Sequence, residues 1–421
     1  MATATTAPPV LHMSLVAGGD LVDRQGAKLG RVDDLIVRLG DEYPPVTGVL
    51  ATVAGRQVFV PADEVESVEH GRVTMREARL DLQPFSRRPS EVLLKKDVVD
   101  RQLINVDGAR LVRANEIELA RLEGWYRVVG VDIGFRGLVR RLVPRALAGS
   151  VDAGAFLDWA SVEPFTGHVP TVRLRIPHPK LARLHPAQLA DLVEAALHRE
   201  GEEILGAVGR DPELEADVFE ELEAGHQLEF IEDRSDAEVA AVLARMEPDD
   251  AADLVSELPE ERRDEVVRLL PLVQRRRVRA LLGFDPSTAG GLMSPEYVCV
   301  YSQAKPSEAI ERVRTTEASV EALAWVYVMN THRKLVGAIA LVDLLRAAGD
   351  ATIGEIADPP RSVRTDAEIE EVARTMADYD LTVVPVVDES EQLIGVVTVD
   401  DVLELVLPRG WRRQFGLFGE D

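Results

Sequence analysis

Cysteine is almost absent from this chain: in 421 residues Cys299 is the only one. A lone thiol excludes an internal disulfide and any cysteine-cluster metal site, and it fits a reducing cytoplasm. Long apolar runs are missing as well. The longest, such as 335–342, span about eight residues, whereas a membrane-spanning helix needs roughly twenty. No transmembrane helix is expected. The first residues, MATATTAPPVLHM, contain neither a basic region nor a long apolar stretch, so no secretory leader is expected. The eight histidines are scattered, and the closest pair, His178 and His185, has proline neighbours and no HExxH or triad context. With no other catalytic constellation, the chain reads as a non-enzyme.

Cations are in short supply. Lys and Arg number 48 against 73 Asp and Glu, a net charge of −25, which argues against a general nucleic-acid binder. The excess is local: residues 211–261 hold 19 Asp and Glu and two Arg, a net of −17. Two readings stand. The stretch is a solvated helical surface, or its clustered carboxylates form a field that collects cations.

Ordinary apolar content and this length predict a globular protein of two to four domains. The N-terminal third is rich in short strand-like runs, such as 47–52 and 57–60, punctuated by Gly and Pro. It also repeats itself. Asp20-Leu-Val-Asp-Arg-Gln recurs as Asp97-Val-Val-Asp-Arg-Gln, 77 residues on, and Gly26-Ala-Lys-Leu recurs as Gly108-Ala-Arg-Leu, 82 residues on, which implies a loop five residues longer. This pattern resembles the PRC-barrel family over residues 15–82 and, more loosely, 92–165. The resemblance implies small β-barrels that bind a protein partner or each other. Arg136, Arg140, Arg141 and Arg145, with Arg127 upstream, form either a positive patch or a solvated edge.

From about His185 the period becomes helical. Leu189, Leu192, Val193, Ala196 and Leu197 form an apolar stripe. Pro-punctuated helices are predicted over 237–246, 249–258, 260–270 and 272–282, stacking as a short superhelix. The last third is a tandem repeat. Helix (370–379), strand (383–387), strand (393–397) and helix (from about 400) follow one another, and a similar order stands 58 residues earlier: Gly337–Asp343 matches Gly395–Asp401, and Val326 and Val328 match Val384 and Val386. The turn at Ala289-Gly290-Gly291 reads as a flexible join before the repeat, since it lacks the Lys and spacing of a phosphate loop.

The motifs HPAQLADL (185–192), EPDDAADLVSELP (247–259) and DPSTAGGLMSPEYVCV (285–300), followed by the paired repeats, resemble the cytosolic part of the MgtE-type magnesium channel family. The resemblance covers about 183–405. It implies a multidomain α+β chain: N-terminal small β-barrels, an α-helical superhelical domain (183–285), and a tandem pair of cystathionine-β-synthase-type (CBS, βαββα-type) domains at 286–350 and 351–408, with a tail at 409–421. It also implies Mg2+ held by carboxylates between the helical domain and the CBS pair, favouring a compact state. Matched residue by residue, the candidates are Asp217, Asp249 and Asp253 on the helical side, with Glu368, Glu370, Asp380, Asp401 and Glu404 on the CBS side. Mg2+ is a hard cation that takes oxygen ligands, keeps several waters and needs one or two carboxylates. Taken singly, each of these acids is equally a helix cap or a solvated side chain.

Two further expectations follow from the resemblance. Thr398 and Asp401 match the CBS pattern in which a hydroxyl meets a phosphate and an Asp meets ribose, so ATP or AMP is a second candidate ligand; in the first repeat Ala340 has lost the hydroxyl while Asp343 is kept. After Val406 the chain reads Leu-Pro-Arg-Gly-Trp-Arg-Arg, which reverses the charge of the channels' connecting helix. A cytoplasmic homodimer paired through its CBS domains, regulatory and without a conduction path, is the expected organisation. The barrels or the 411–418 tail are left to dock on a partner.

Overall fold

The computed structural model describes residues 10–77, 85–88, 90–134, 156–165, 180–316, 318–320 and 322–406, with the side chain of Glu404 excepted. The arginine group at 136–145 and the tail at 411–418 lie outside the described residues. The chain divides into two compact units, Met1–Asp211 and Pro212–Asp421.

The first unit is strand-rich. Strands Asp20–Val22 (β2), Lys28–Arg38 (β3), Val46–Val53 (β4), Arg56–Pro61 (β5), Val65–Glu69 (β6) and Arg72–Met75 (β7) form a sheet ordered β5-β4-β3-β2-β7-β6, and Glu91–Leu93 (β8) adds to β3. Leu11–His12 (β1), which precedes them, pairs instead with Glu116–Leu122 (β11) of the second repeat, beside Trp125–Asp132 (β12) and Phe156–Asp158 (β13). Gln102–Asn105 (β9) is flanked by Arg110–Arg113 (β10) and Val162–Pro164 (β14). One apolar cluster runs through both repeats, from Met13 to Val162. Tyr126 Oη donates to the Val68 carbonyl at 2.8 Å and Trp125 Nε1 to that of Val46 at 2.7 Å. The repeats thus share a core and are stitched together by polar groups that burial would otherwise strand.

The structural repeat runs in a different register from the sequence match. Hairpin β2–β3 corresponds to β9–β10 at a constant offset of 82, since β2 and β9 begin at 20 and 102 and β3 and β10 at 28 and 110. The turn between β9 and β10 is no longer than the one between β2 and β3. Asp97 lies on a single helical turn, Leu94–Val98, ahead of β9. The physical reason is burial: Leu103 and Ile104 fill the core as Leu21 and Val22 do, and core filling outweighs a coincidence of letters.

Helices Pro186–Ala195 (α1) and His198–Val208 (α2) close this unit. Leu189, Leu192 and Val193 are buried as the stripe predicts, but Leu197 is 69% exposed. The helix stops at Ala195, and Leu197 caps α2 in extended backbone, so the stripe ends one turn early.

In the second unit six helices come first: Pro212–Glu220 (α3), Ala224–Glu232 (α4), Asp236–Leu243 (α5), Pro248–Glu257 (α6), Glu260–Leu269 (α7) and Leu272–Leu281 (α8). Alternate helices pack, α3 on α5 on α7 and α4 on α6 on α8, which gives the two-row stack expected of a superhelix. Two matching α/β repeats follow. Val298–Tyr301 (β15), Trp325–Met329 (β16) and Leu335–Ala340 (β17) carry helices Pro306–Thr315 (α9) and Leu341–Arg346 (α10). Val363–Arg364 (β18), Val383–Val387 (β19) and Leu393–Thr398 (β20) carry Ile369–Tyr379 (α11) and Val399–Val406 (α12). The 58-residue offset holds down to a β-bulge. Val328 pairs with Gly337 and Val386 with Gly395, and each ladder slips at the next residue.

The turn at 289–291 is not a flexible join. All three residues are buried. The N–H groups of Ala289 and Gly290 donate to the carbonyls of Ala367 and Thr365 in the second repeat, both at 2.9 Å. Gly is required at 291 because a Cβ there would sit 2.3 Å from the Asp285 carbonyl oxygen. Ser294 then bridges to Val396, so the segment entering the first repeat extends the sheet of the second.

Candidate functional site: an acidic cluster on the helical stack and the second repeat

The site grows from helix starts. Pro248 opens α6 behind Glu247, and its fixed φ suits the first helical position. Its first turn carries Asp249 and Asp250, where the partial positive charge of a helix N-terminus favours acids, and Asp253 follows one turn on from Asp249. Glu220, at the end of α3, accepts the Glu247 N–H at 2.6 Å and so fixes the two helix ends against each other. Asp401, in the first turn of α12, comes from the second repeat. Its Oδ2 accepts the backbone N–H and the hydroxyl of Thr398 at 3.1 and 2.5 Å.

These carboxylates act on one another. Burial first, then the charges of Asp401, Glu247 and Asp253, hold the Asp249 carboxyl well above the usual carboxylate range. Desolvation followed by Asp249, Glu220, Asp401 and Glu247 does the same to Asp250. Glu220 is pushed up to about 8, by desolvation first and then by Glu247, Asp217 and Glu221. Asp253 rises to about 6 through desolvation and Glu257. It reaches solvent more than the others, so screening leaves its shift the least energetic weight. Asp249 is 8% exposed, and its Oδ1 is buried without a hydrogen-bond partner. Such a group either keeps a proton at neutral pH or meets a cation. The donor set is entirely carboxylate oxygen, which suits a hard divalent ion.

The structure brings together Asp249, Asp253 and Asp401 of the sequence candidates, and Asp217 stands one turn before Glu220 on α3. Glu368 and Glu370 are exposed at the start of α11, and Asp380 is exposed at its far end in left-handed backbone. Nine residues of helix put Glu370 and Asp380 about 15 Å apart, too far to share an ion. The Glu404 side chain lies outside the described residues. Sequence reasoning missed Glu220, Glu247 and Asp250. Two signals were available: Glu220 follows Asp217 at helical i+3 spacing, and Glu247-Pro248 marks a helix start facing it.

Residues 184–287 match the model of the MgtE intracellular N domain, and residues 289–350 and 353–408 match that of the CBS domain. The chain carries an MgtE-type helical domain followed by a CBS pair. It is 41% identical over 162 residues to the magnesium transporter MgtE of Thermus thermophilus, across 38% of this chain and 36% of that protein. With the magnesium transporter MgtE of Enterococcus faecalis it shares 32% identity over 145 residues, 34% of this chain and 32% of the relative. A crystal structure of the cytosolic domain of the Mg2+ channel MgtE in complex with ATP matches with a TM-score of 0.50 and 33% identity, covering 54% of this chain and 94% of that one. The chain spans about a third of the length of these two curated relatives. Among the described residues, no helix is long and apolar enough to cross a membrane.

Proposed function

We propose that the MgtE-type part of this chain is a non-enzymatic, cytoplasmic Mg2+ sensor with a regulatory role. The observation that carries this reading is the buried, unpartnered Asp249 Oδ1 and the charge of Asp401 acting on that carboxyl, two acids 152 positions apart. A divalent ion at Asp249, Asp250, Asp253, Glu220 and Asp401 would convert mutual repulsion into shared attraction and hold α6 against α12. Bound Mg2+ would therefore favour the compact form. A homodimer through the CBS pair fits the apolar side chains left exposed on α10 (Val342, Leu345) and α12 (Leu403, Leu405, Val406). The strand-rich unit, PRC-barrel-like in sequence, is assigned to partner binding.

Adenine nucleotide is the second reading, favoured by the Thr398 hydroxyl at the start of α12 and by the ATP named for the matching crystal structure. Thermal melts of the purified protein with Mg2+, with ATP or AMP, and with neither separate the readings, because a ligand that binds only the folded form raises its stability. Stabilisation by millimolar Mg2+ without nucleotide supports the sensor; a melt indifferent to Mg2+ overturns it.

A further inference from the structure

The hairpin between α7 and α8 combines apolar and cationic side chains on one exposed surface. Leu269, Leu272 and Val273, around the turn at Pro271, are 45%, 58% and 57% exposed. At 100° per residue, Leu272, Val273, Arg276, Arg279 and Ala280 share one arc of α8, and all five are exposed. The opposite arc, with Gln274, Val278 and Leu281, is buried, and Gln274 Nε2 holds the helix down by donating to the carbonyls of Leu243 and Met246. Leu272 and Val273 are therefore surface residues by construction, not core residues that have slipped. Arg268 completes the basic rim and is paired with Glu265.

A chain of net charge −25 places these arginines beside an exposed aliphatic turn. Two other exposed acids stand on α7: Glu261, eight residues and about 12 Å back from Leu269, and Asp264, one turn before Arg268. Along α8 itself Arg275, Arg276, Arg277 and Arg279 stand with no acid. A second copy meeting this face about a two-fold axis would set arginine against arginine, so self-pairing is disfavoured. Apolar side chains at a turn, backed by arginines along one helix face, match the chemistry of an anionic lipid surface, where the aliphatic groups enter the acyl boundary and the guanidinium groups meet phosphates.

We propose that the α7–α8 hairpin docks this protein on anionic membranes. The test is co-sedimentation of the full chain with phosphatidylcholine vesicles, with and without phosphatidylglycerol, at low and physiological salt. Binding is expected only to the vesicles that contain phosphatidylglycerol, and it should weaken as salt rises. Arg276→Gln with Arg279→Gln should weaken it about thirty-fold, from roughly 1 kcal/mol per basic residue near the surface. Leu272→Ser with Val273→Ser keeps the charge and should also weaken it. Circular dichroism should show both variants folded, since all four side chains are exposed; if either pair fails to fold, the single changes Arg276→Gln and Val273→Ser replace it. Parent protein that ignores anionic vesicles at low salt, or variants that bind as the parent does, would overturn the proposal. Salt-sensitive self-association in light scattering that the variants lose, with no vesicle binding, would assign the face to a second copy and overturn it equally.

Discussion

Thr398 gives both its hydroxyl proton and its backbone N–H to a single oxygen of Asp401, at 2.5 and 3.1 Å. The pair ties the acid that faces α6 to the hydroxyl that the CBS pattern would offer to a phosphate. Cation and nucleotide readings therefore converge on two residues three apart, and each ligand would alter what the other meets.

Thr398→Ala is expected to weaken ATP or AMP binding in calorimetry by removing one phosphate contact, and to cost about 0.5–2 kcal/mol of stability through loss of a helix-start bond. Equal affinity in mutant and parent, or no binding by either, removes the nucleotide role.

Asp249→Asn with Asp401→Asn should act with opposite sign in two conditions. In chelator the change removes the cost of keeping a buried acid protonated or of holding two acids charged side by side, and should raise the melting temperature. In Mg2+ the same double mutant should gain less from added metal than the parent, because amides are poorer ligands for a hard cation. Destabilisation of equal size in both conditions would show these acids to be ordinary helix-terminal residues.

The metal-free protein should lose stability as pH rises from about 4.5 to about 8. Glu220 holds its proton to about 8 when folded, against 4.5 in the unfolded chain, so in that interval the folded form binds more protons and rising pH favours unfolding. Asp253 adds a smaller loss between 3.8 and about 6. Urea titrations across this range in chelator should show the slope; Glu220→Gln should flatten it, as should saturating Mg2+. Stability that climbs from pH 5 to 8 in chelator would contradict the assignment.

Gly291→Ala should destabilise the second unit by about 1–3 kcal/mol, as overpacking does. Its Cβ would meet the Asp285 carbonyl oxygen at 2.3 Å and the Pro286 Cα at 2.5 Å, both backbone atoms that cannot rotate away. An unchanged denaturant midpoint would mean that the turn yields easily.

The CBS repeats were legible because β-branched residues alternate at a fixed 58-residue offset, and the register of β16–β17 and β19–β20 keeps that offset through the bulge. The helices of the stack were legible from Pro and acids at their starts: α6 begins at Pro248 and α7 at Glu260. Leu197 was misread because a periodic stripe does not show where a helix stops. Glu220 and Asp250 were not picked out because spacing and helix-start signals place an acid on its own element, whereas their importance comes from proximity across helices. The turn at 289–291 looked loose because Gly permits freedom, whereas here its missing Cβ permits close packing.

The bridge from Ser294 to Val396 sets an order on biosynthesis. The chain emerges from the ribosome amino end first, so Met293 and Ser294 leave the tunnel about a hundred residues before the strand that receives them. Gly395 leaves room for Met293, whose Sδ would lie 2.6 Å from a Cβ at that position. Until β20 is synthesised, the Met293 side chain has no seat and the Ser294 N–H has no ladder partner. The first repeat therefore cannot reach its final form as a nascent fragment. Its completion waits for the last strand of the second repeat, so the two repeats mature as one event.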